Sequence, residues 1–415
     1  MEKLIDTRTW FGLRVIAEKS VLCPRIYRLI SIAMGLVLGY IRHGGEQPFI
    51  FLTHLTIFPG GGTLTGIILG RRRPMSFRDF ILEICMIDGP SGFEGKVAQR
   101  MKQEMEPFVD RVEIDFKGNL IAVMEGDKPS IMVAAHMDQV AMYVEYVDEN
   151  NLVYFQPSGL IDPKALANVP VKILTAKGEI PGVISSPPHH FRYGMTGQAE
   201  THNWVDIGSQ QGVRPGDMIV YDTAPRWLGD HTLASRSVDC RVPCAVVASL
   251  AKEMGKKRIK NQLLLCGAVQ EEMGSLGMAK VIKDWTPDYV ILVDTSQAWV
   301  PSVPKAKAPL PGNGPTLMRF QRWLAPLSVS FSSPVIEQAI EEAARQNQIP
   351  LNYGVVAEML TDAWGVEKAD TPTVSSLLSL PRRYSHSPYE VIDVRVAEQV
   401  LAILVSTLPL LAGKI

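Results

Sequence analysis

The stretch Ser130-Ile-Met-Val-Ala-Ala-His-Met-Asp138 joins an apolar run directly to two polar side chains. The apolar part, residues 130–135, is typical of a strand that is buried on both faces of an α/β sheet. Side chains two positions apart on a strand point the same way, so His136 and Asp138 are expected to lie side by side where the strand ends. One of them can bind a metal ion while the other fixes the orientation of the imidazole. Taken alone, such a pair occurs more often in an ordinary surface turn.

Two more apolar runs have the same character, at residues 262–269 and 289–293. Between and after them, apolar residues recur with helical spacing at residues 243–254, 335–346 and 393–404. Ser333 is the predicted N-cap of the second of these helices, and Pro334 takes its first position. Strands that alternate with helices in this way predict an α/β domain whose sheet is covered by helices on both faces.

The central part of the chain has a different pattern. Residues 143–233 consist of short alternating runs that are separated by turn residues such as Lys177-Gly178. This pattern predicts a small β-rich, barrel-like domain that is inserted into the α/β domain. The α/β domain would then comprise residues 75–142 and 234–415, and its Pro- and Gly-rich residues 301–315 would form a long surface loop.

The first 74 residues do not share this organisation. Their apolar stretches, at residues 28–41 and 48–59, are shorter than the about 20 residues of a membrane span, and neither has the layout of a signal peptide. Three interpretations are open: an arm that associates with a membrane, a disordered extension, or sequence upstream of the true start codon. We favour the third, because Ser76-Phe-Arg-Asp79 has the pattern that opens a helix. A folded domain is therefore expected to begin at residue 75.

Composition excludes several classes of protein. The chain has 415 residues, 46% of them hydrophobic and 20% charged, with a formal net charge of −1. It lacks the basic excess that is typical of nucleic-acid-binding proteins, and we expect neither a nucleic-acid nor a membrane partner. Its five cysteines are scattered, which argues against a secreted disulfide framework and favours a cytoplasmic protein. Cys240 and Cys244 resemble half of a zinc knuckle, but no second cysteine pair follows them.

Acidic residues and a second histidine lie at the ends of the other predicted core elements. These residues are Glu271 and Glu272 after the second strand, Asp294 at the end of the third, Asp239 before a helix, and His386 after an apolar run at residues 374–380. Each alone has an ordinary structural explanation, as a solvated pair, a helix cap or a satisfied histidine. Together, two histidines and three carboxylates at strand ends form the ligand set that zinc, cobalt or manganese accepts. Adjacent buried glutamates repel each other, so a cation would bind one and leave the other as a general base.

These residues stand in an order that resembles the TET-type metallo-aminopeptidases, whose members are variously named glutamyl, leucyl or deblocking aminopeptidases and sometimes endoglucanases. The resemblance runs from about Met75 to the C-terminus. Its landmarks are Gly89-Pro-Ser-Gly-Phe-Glu94, Lys117-Gly-Asn119, Ala135-His-Met-Asp138, Gly182-Val-Ile184, Pro188-His189, Asp206-Ile-Gly208, Gly212-Val-x-x-Gly-Asp217, Asp239-x-Arg241, Val269-Gln-Glu-Glu272, Asp294, Thr361-Asp-Ala363 and Arg383-Tyr-Ser-His386. So many landmarks in one order make the match specific.

The resemblance implies a zinc-peptidase-like α/β sandwich core that is interrupted by a β-rich dimerisation domain. It also implies two divalent metal ions per subunit, zinc or cobalt. His136 and Asp294 would bind one ion, Glu272 and His386 would bind the other, and Asp239 would bridge both.

Further roles follow from the same resemblance. Glu271 would be the general base, and Asp138 would orient His136. Three more residues match motif positions near the substrate without a firm role: Arg241, Thr361 and Asp362. The implied reaction is the removal of N-terminal residues from peptides, and the implied assembly is a tetrahedral dodecamer built from dimers.

The chain also departs from the family pattern. Cys240 stands where the family usually has Asp or Asn, and Ala141-Met-Tyr-Val144 and Pro157-Ser-Gly-Leu160 replace more usual motifs. No departure removes a ligand or the base, so they bear on substrate preference and metal affinity. Two alternatives stay open: a non-catalytic or altered-substrate member of the fold that serves in binding or assembly, and a less favoured glycoside hydrolase, which needs two carboxylates and no metal.

Overall fold

The computed structural model describes residues 50–57, 62–69, 75–185, 204–324 and 327–413. The chain divides into two compact units, Met1–Ser76 and Phe77–Ile415. In the first unit, strands β1 (Ile50–Ile57) and β2 (Gly62–Leu69) pair in an antiparallel manner. The apolar run at residues 28–41 lies outside the described residues, and the three interpretations of the first 74 residues stay predictions.

The second unit alternates strands with helices over much of its length. Its helices are α1 (Phe77–Met86), α2 (Gly95–Met105), α3 (Val238–Lys256), α4 (Leu276–Trp285), α5 (Pro334–Gln346), α6 (Asp362–Lys368) and α7 (Arg395–Ala412), with 3-10 turns at Glu106–Phe108, Pro163–Ala165 and Lys305–Lys307. Its strands are β3 (Arg111–Ile114), β4 (Leu120–Met124), β5 (Asp127–His136), β6 (Ala141–Val147), β7 (Leu152–Ser158), β8 (Pro170–Thr175), β9 (Gly178–Ser185), β10 (Trp204–Asp206), β11 (Met218–Tyr221), β12 (Arg226–Trp227), β13 (Thr232–Ser235), β14 (Asn261–Ala268), β15 (Tyr289–Gln297), β16 (Thr316–Leu324), β17 (Leu327–Phe331), β18 (Asn352–Ala357), β19 (Val374–Arg383) and β20 (Glu390–Asp393).

A large mixed sheet forms the core of this unit, with the strand order β12-β13-β20-β19-β15-β5-β14-β4-β3 and with β16 to β18 joined through β19. The four central strands β14, β5, β15 and β19 are parallel, so their carboxyl ends share one edge. Successive side chains of β5 alternate between the faces: Ile131 and Val133 pack with α1, α2, α3, α5 and α7. Met132 and Ala134 pack with α4 and α6 on the other face. The predicted α/β sheet with helices on both faces is confirmed.

The predicted β-rich insertion is a closed barrel with the strand order β10-β7-β6-β11-β8-β9. Its interior is apolar, with Met142, Val153, Ile173 and Ile219 fully buried. The predicted barrel-like insertion is confirmed, while the domain boundaries at residues 143 and 233 stay predictions. The Pro188-His189 landmark lies outside the described residues.

Several predicted element ends need correction. Helix α7 continues well beyond residue 404, because Leu408 and Leu411 carry the buried apolar spacing onward. Ser333, by contrast, is the N-cap of α5 and Pro334 its first residue, as predicted, although the Ser333 hydroxyl makes no capping hydrogen bond. Helix α3 is assigned from Val238, yet Asp239 and Cys240 have non-helical backbone angles, so its regular part begins after them.

Helix α7 is also the one helix in the described part of the chain that is long and apolar enough to cross a membrane, with a mean hydropathy of 1.5. Its residues Val400, Ile403 and Leu404 are fully buried in the apolar core shared with α3 and α5. A core helix has the same composition as a membrane span, so the packing explains this hydropathy.

A buried ionic cluster links the barrel to the α/β core. Asp88, which follows α1, accepts a hydrogen bond from Arg236 Nη1 at 2.7 Å and lies 2.6 Å from Nζ of Lys172 on barrel strand β8. Burial works to raise the pKa of Asp88, but Arg236 and Lys172 outweigh it and hold the pKa below its ordinary value of 3.8. The ionised form of Asp88 therefore stabilises the folded chain.

We predict that Asp88→Asn lowers the free energy of unfolding by about 3 kcal/mol at neutral pH, because it leaves the buried Arg236 without its carboxylate. The folded-state pKa lies below the unfolded value of about 3.9, so this contribution is complete above that pH and is lost as the pH falls through the folded-state value. Urea unfolding of both proteins from neutral to acid pH should show a difference that shrinks toward acid. A difference that does not change with pH would contradict the ionic explanation.

Candidate metal centre

Seven side chains that the sequence analysis singled out meet at the carboxyl edge of the parallel strands. They are His136 at the end of β5, Asp138 just after it, Glu271 and Glu272 after β14, Asp294 in the last part of β15, His386 after β19 and Asp239 at the start of α3. This edge is where open α/β sheets usually carry their sites. The topology thus explains why residues far apart in the sequence gather here.

The distances between polar atoms suit two neighbouring ions. His136 Nε2 lies 3.3 Å from Asp239 Oδ1 and 3.7 Å from Asp294 Oδ1. His386 Nε2 lies 3.3 Å from the other oxygen of Asp239, Oδ2, and 3.4 Å from Glu272 Oε1. Nitrogen and oxygen ligands of a tetrahedral zinc ion, bound at about 2.0–2.2 Å, are separated by about 3.4 Å. The two oxygens of Asp239 therefore belong to two different ligand groups.

Asp138 orders one side of this cluster. Its Oδ1 lies 3.3 Å from His136 Nδ1 and accepts the backbone N–H of Glu271 at 2.9 Å. Its Oδ2 accepts the backbone N–H of Glu272 at 3.1 Å and the hydroxyl of Ser91 at 2.6 Å. One fully buried carboxylate thus fixes a histidine and both glutamates.

The barrel orders the other side. His386 Nδ1 lies 2.6 Å from the carbonyl oxygen of Leu160, in the loop after β7. Because a carbonyl can only accept, Nδ1 carries a proton, which leaves Nε2 as the ring nitrogen that could bind an ion. The hydroxyl of Tyr221, on β11, donates to the carbonyl of His386 at 3.3 Å.

The pKa values show an excess of negative charge. Burial raises the pKa of Glu271 well above its ordinary value and that of Glu272 to about 7. Burial works to lower the pKa of both histidines, but the acidic groups around them raise that of His136 well above its ordinary value and that of His386 to about 10. Both effects favour added positive charge, which a divalent cation would supply.

Two unpaired atoms support the same conclusion. Asp239 Oδ1 and Glu272 Oε1 are buried and have no hydrogen-bond partner among the described residues. A buried carboxylate oxygen without a partner is costly, and each of these atoms belongs to one of the two ligand groups. Histidine nitrogens with carboxylate oxygens are ligands that zinc and cobalt accept, so the residues present fit divalent ions.

Two buried residues of the centre were not predicted from the sequence. Arg382 Nη2 contacts Asp239 Oδ2. Burial works to raise the pKa of Asp239, but Arg382 and the two histidines hold it well below its ordinary value. Glu390 accepts the backbone N–H of Asp239 at 2.9 Å and that of His386 at 2.8 Å. Arg382 lies near the end of parallel strand β19, and this position could have marked it as a site residue, because other site residues lie at the ends of parallel strands. Glu390 begins the antiparallel strand β20, and no feature of the sequence marked it.

The three candidate substrate contacts have different positions. Thr361 lines the cavity over the cluster and caps α6. Asp362 is buried beside it, and burial raises its pKa to about 7. Arg241 is fully buried, and its guanidinium donates to the backbone carbonyls of Met137, Ile87 and Gly89. These hydrogen bonds show that Arg241 has a structural role: it holds the segment between α1 and α2 against the end of β5.

A cavity of about 750 Å³ opens over the cluster. Its lining includes the charged residues Asp162, Glu358 and Lys368 and six apolar residues: Leu160, Met273, Leu276, Trp323, Met359 and Trp364. The volume is within the range of about 300–1,000 Å³ that is usual for ligand pockets. It leaves room for the end of a peptide above the acidic floor.

The α/β sheet, the cluster at the ends of its parallel strands and the inserted barrel together define a metallopeptidase. The family model for the M42 glutamyl aminopeptidases matches residues 118–403, and the chain belongs to this family. The lysyl aminopeptidase of Pyrococcus furiosus is 28% identical over 322 residues, which cover 74% of this chain and 89% of that protein.

Solved structures show the same fold. Aminopeptidase APDkam598 from the archaeon Desulfurococcus kamchatkensis aligns with a TM-score of 0.75 and 24% identity, covering 82% of this chain and 97% of that one. The TET1 peptidase of Pyrococcus horikoshii aligns with a TM-score of 0.69 and 23% identity, covering 82% of this chain and 100% of that one. With the family assignment, the chain is a peptide hydrolase of the aminopeptidase type.

We predict that zinc or cobalt ions raise the melting temperature of the full-length, chelator-treated protein, because a cation removes the repulsion among the carboxylates. At an ion concentration of 100 times Kd, the gain in the free energy of unfolding is about 2.7 kcal/mol. His136→Ala should reduce the rise. The matched control His231→Ala removes a histidine that lies beside Arg78 instead, and should keep it. An equal rise in all three proteins would place the ion elsewhere.

Proposed function

We propose that the chain is a dinuclear metal-dependent aminopeptidase that removes N-terminal residues from peptides. The observation that carries the proposal is the position of Asp239, whose two oxygens lie 3.3 Å from His136 Nε2 and 3.3 Å from His386 Nε2. A carboxylate shared in this way between two ligand groups is the arrangement that a pair of ions requires.

Each ion has its own ligands in this proposal. His136 and Asp294 hold one ion, Glu272 and His386 hold the other, and Asp239 is shared. When bound, two zinc or cobalt ions would lower the pKa of a shared water toward neutrality and polarise the carbonyl of the scissile peptide bond.

Glu271 serves as the general base. It lies 3.8 Å from His136 Nε2 at the floor of the cavity, and Asp138 fixes its backbone. Burial moves its pKa upward, the direction that strengthens a base. Glu271 takes a proton from the attacking water as the new C–O bond forms, and it gives that proton to the leaving amine as the C–N bond breaks.

The substrate lies with its free amine toward the acidic floor and its first side chain toward the wall of Met273, Trp323 and Trp364. Attraction between the amine and the acidic groups confines cleavage to the N-terminal residue. These apolar lining residues are the basis for proposing an apolar first side chain.

The enzyme works as a cytoplasmic homo-oligomer in this proposal. The TET1 peptidase of Pyrococcus horikoshii can assemble into a tetrahedron or a large octahedral shell. In this chain, exposed apolar side chains lie on the barrel, as with Tyr146 and Val183, and on the outer strands, as with Phe331 and Val355. In this proposal they take part in contacts between subunits, with dimers formed through the barrel that assemble into a dodecamer.

A glycoside hydrolase explains the centre less well. It needs two carboxylates that face each other across a sugar, and it gives no role to His136 or His386. A binding or assembly protein would keep the shell without the base, yet Glu271 is present and lines the cavity. The retained base and ligands therefore favour catalysis.

We predict that Glu271→Gln lowers kcat about 100- to 10,000-fold, since the amide cannot accept the proton of the water. Its metal content should stay at the wild-type value. Glu272→Gln is the matched comparison, because it changes the adjacent glutamate and should lose metal as well as activity. Metal content by mass spectrometry and peptidase rates would separate the two; wild-type turnover of Glu271→Gln would show that another group is the base.

The reaction itself is tested with aminoacyl-p-nitroanilides on the full-length protein, with chelator and then with zinc or cobalt restored. We expect release of p-nitroaniline that chelator abolishes and metal restores, fastest with apolar aminoacyl groups. Substrates with a blocked amine should not be cleaved. Activity that survives chelator, or no activity on any free-amine substrate despite bound metal, would contradict the proposed reaction.

A further inference from the structure

Cys240 lies inside the centre and has no role in the proposed mechanism. Its side chain is fully buried, and its sulfur lies 3.4 Å from Asp294 Oδ1. The ligand atoms of His136, Asp239, Cys240 and Asp294 all lie within 4.8 Å of one another. The cysteine thus belongs to the same group of atoms as the ligands of the first ion.

The spacing is that of a metal site with one sulfur ligand. Zn–S bonds of about 2.3 Å and Zn–O bonds of about 2.0–2.2 Å place sulfur and oxygen about 3.6 Å apart around a tetrahedral ion. The separation of 3.4 Å between Cys240 Sγ and Asp294 Oδ1 agrees with this value. The other two measured separations in this group, 3.3 Å and 3.7 Å from His136 Nε2 to Asp239 Oδ1 and Asp294 Oδ1, bracket the nitrogen–oxygen value.

A second observation points to a ligand in the same place. Asp239 Oδ1, on a side chain that is nine-tenths buried, has no hydrogen-bond partner among the described residues. It faces His136 Nε2, so an acceptor and the imidazole nitrogen converge on the space beside the sulfur. A plain thiol that donates to Asp294 or to the carbonyl of Val293, at 3.6 Å, would leave this oxygen unpaired.

We propose that Cys240 is a fourth protein ligand, as a thiolate, to the ion held by His136, Asp239 and Asp294. The inference rests on the proposed metal centre and specifies its chemistry further. The thiol proton leaves to solvent as the sulfur–metal bond forms, as happens whenever a cysteine binds a metal. A thiolate makes this position selective for thiophilic ions, zinc over manganese.

The two metal positions then differ in their coordination. The first would have four protein ligands, so the shared water would be a fifth ligand of that ion. The second has three, Asp239, Glu272 and His386, and keeps an open coordination position of the kind that catalytic sites need. With Cys240 as a ligand, the first ion would be bound more tightly than the second, and the second would have a coordination position open to substrate.

Cobalt(II) spectroscopy on the full-length protein tests this assignment. After chelator treatment and loading with cobalt(II), bands in the visible region report the ion in the centre, and a sulfur-to-cobalt charge-transfer band in the near ultraviolet reports the thiolate. Cys240→Ser should lose the near-ultraviolet band and keep visible bands. The matched control Cys244→Ser removes another fully buried cysteine of α3, whose sulfur lies 3.0 Å from the carbonyl oxygen of His136, and should keep both.

The outcomes separate the two levels of the proposal. Visible bands without a charge-transfer band in the wild type, or a charge-transfer band that survives Cys240→Ser, would overturn the thiolate ligand and leave the metal centre in place. No cobalt bands at all would overturn both. X-ray absorption of the zinc-loaded wild type keeps the test decisive if a variant does not fold: a sulfur neighbour at about 2.3 Å supports the proposal, and nitrogen and oxygen neighbours alone contradict it.

Discussion

Repulsion among buried carboxylates is the constraint on which this site depends. Asp239, Glu271, Glu272 and Asp294 line one cavity, and burial alone would raise the pKa values of Asp239, Glu271 and Glu272. The chain offsets part of the repulsion with the guanidinium of Arg382 beside Asp239 and with the imidazoles of His136 and His386. The negative charge that remains favours a bound cation, and the spacing of these polar atoms fits divalent ions.

The packing of the sheet offsets the unfavourable free energy of these buried carboxylates. Each of four parallel strands delivers its polar residues to the same edge, and paired registers such as His136 beside Ala268 fix their relative heights. The strands are buried on both faces, by Ile131 and Val133 on one side and by Met132 on the other. Each such side chain contributes about 1.5–3 kcal/mol of burial free energy. If a strand moved so as to separate the carboxylates, its apolar side chains would be exposed to water.

Apolar runs predicted the strands because those strands are buried on both faces, and most of the proposed ligands were predictable because they follow these runs directly. The resemblance to a known family then joined His136, Asp239, Glu272, Asp294 and His386 into one set. Features that depend on packing between distant segments could not be predicted from the sequence. The contact of Arg382 with Asp239, the hydrogen bonds from Glu390 and the buried position of Arg241 each need the three-dimensional path of several segments.

The inserted barrel is part of the site rather than an appendage to it. The carbonyl oxygen of Leu160 sets the tautomer of His386, and Asp88 ties Lys172 of the barrel to the core. The connecting turn runs so close to the ligands that an added Cβ at Gly159, where φ is +87°, would lie 2.8 Å from Val140 and 3.1 Å from Glu272 Oε2. Glycine suits this position because it adopts the positive φ readily and has no Cβ to collide with Val140 or Glu272. We propose that subunits pair through the same barrel, so those contacts would lie in the domain whose Leu160 holds His386.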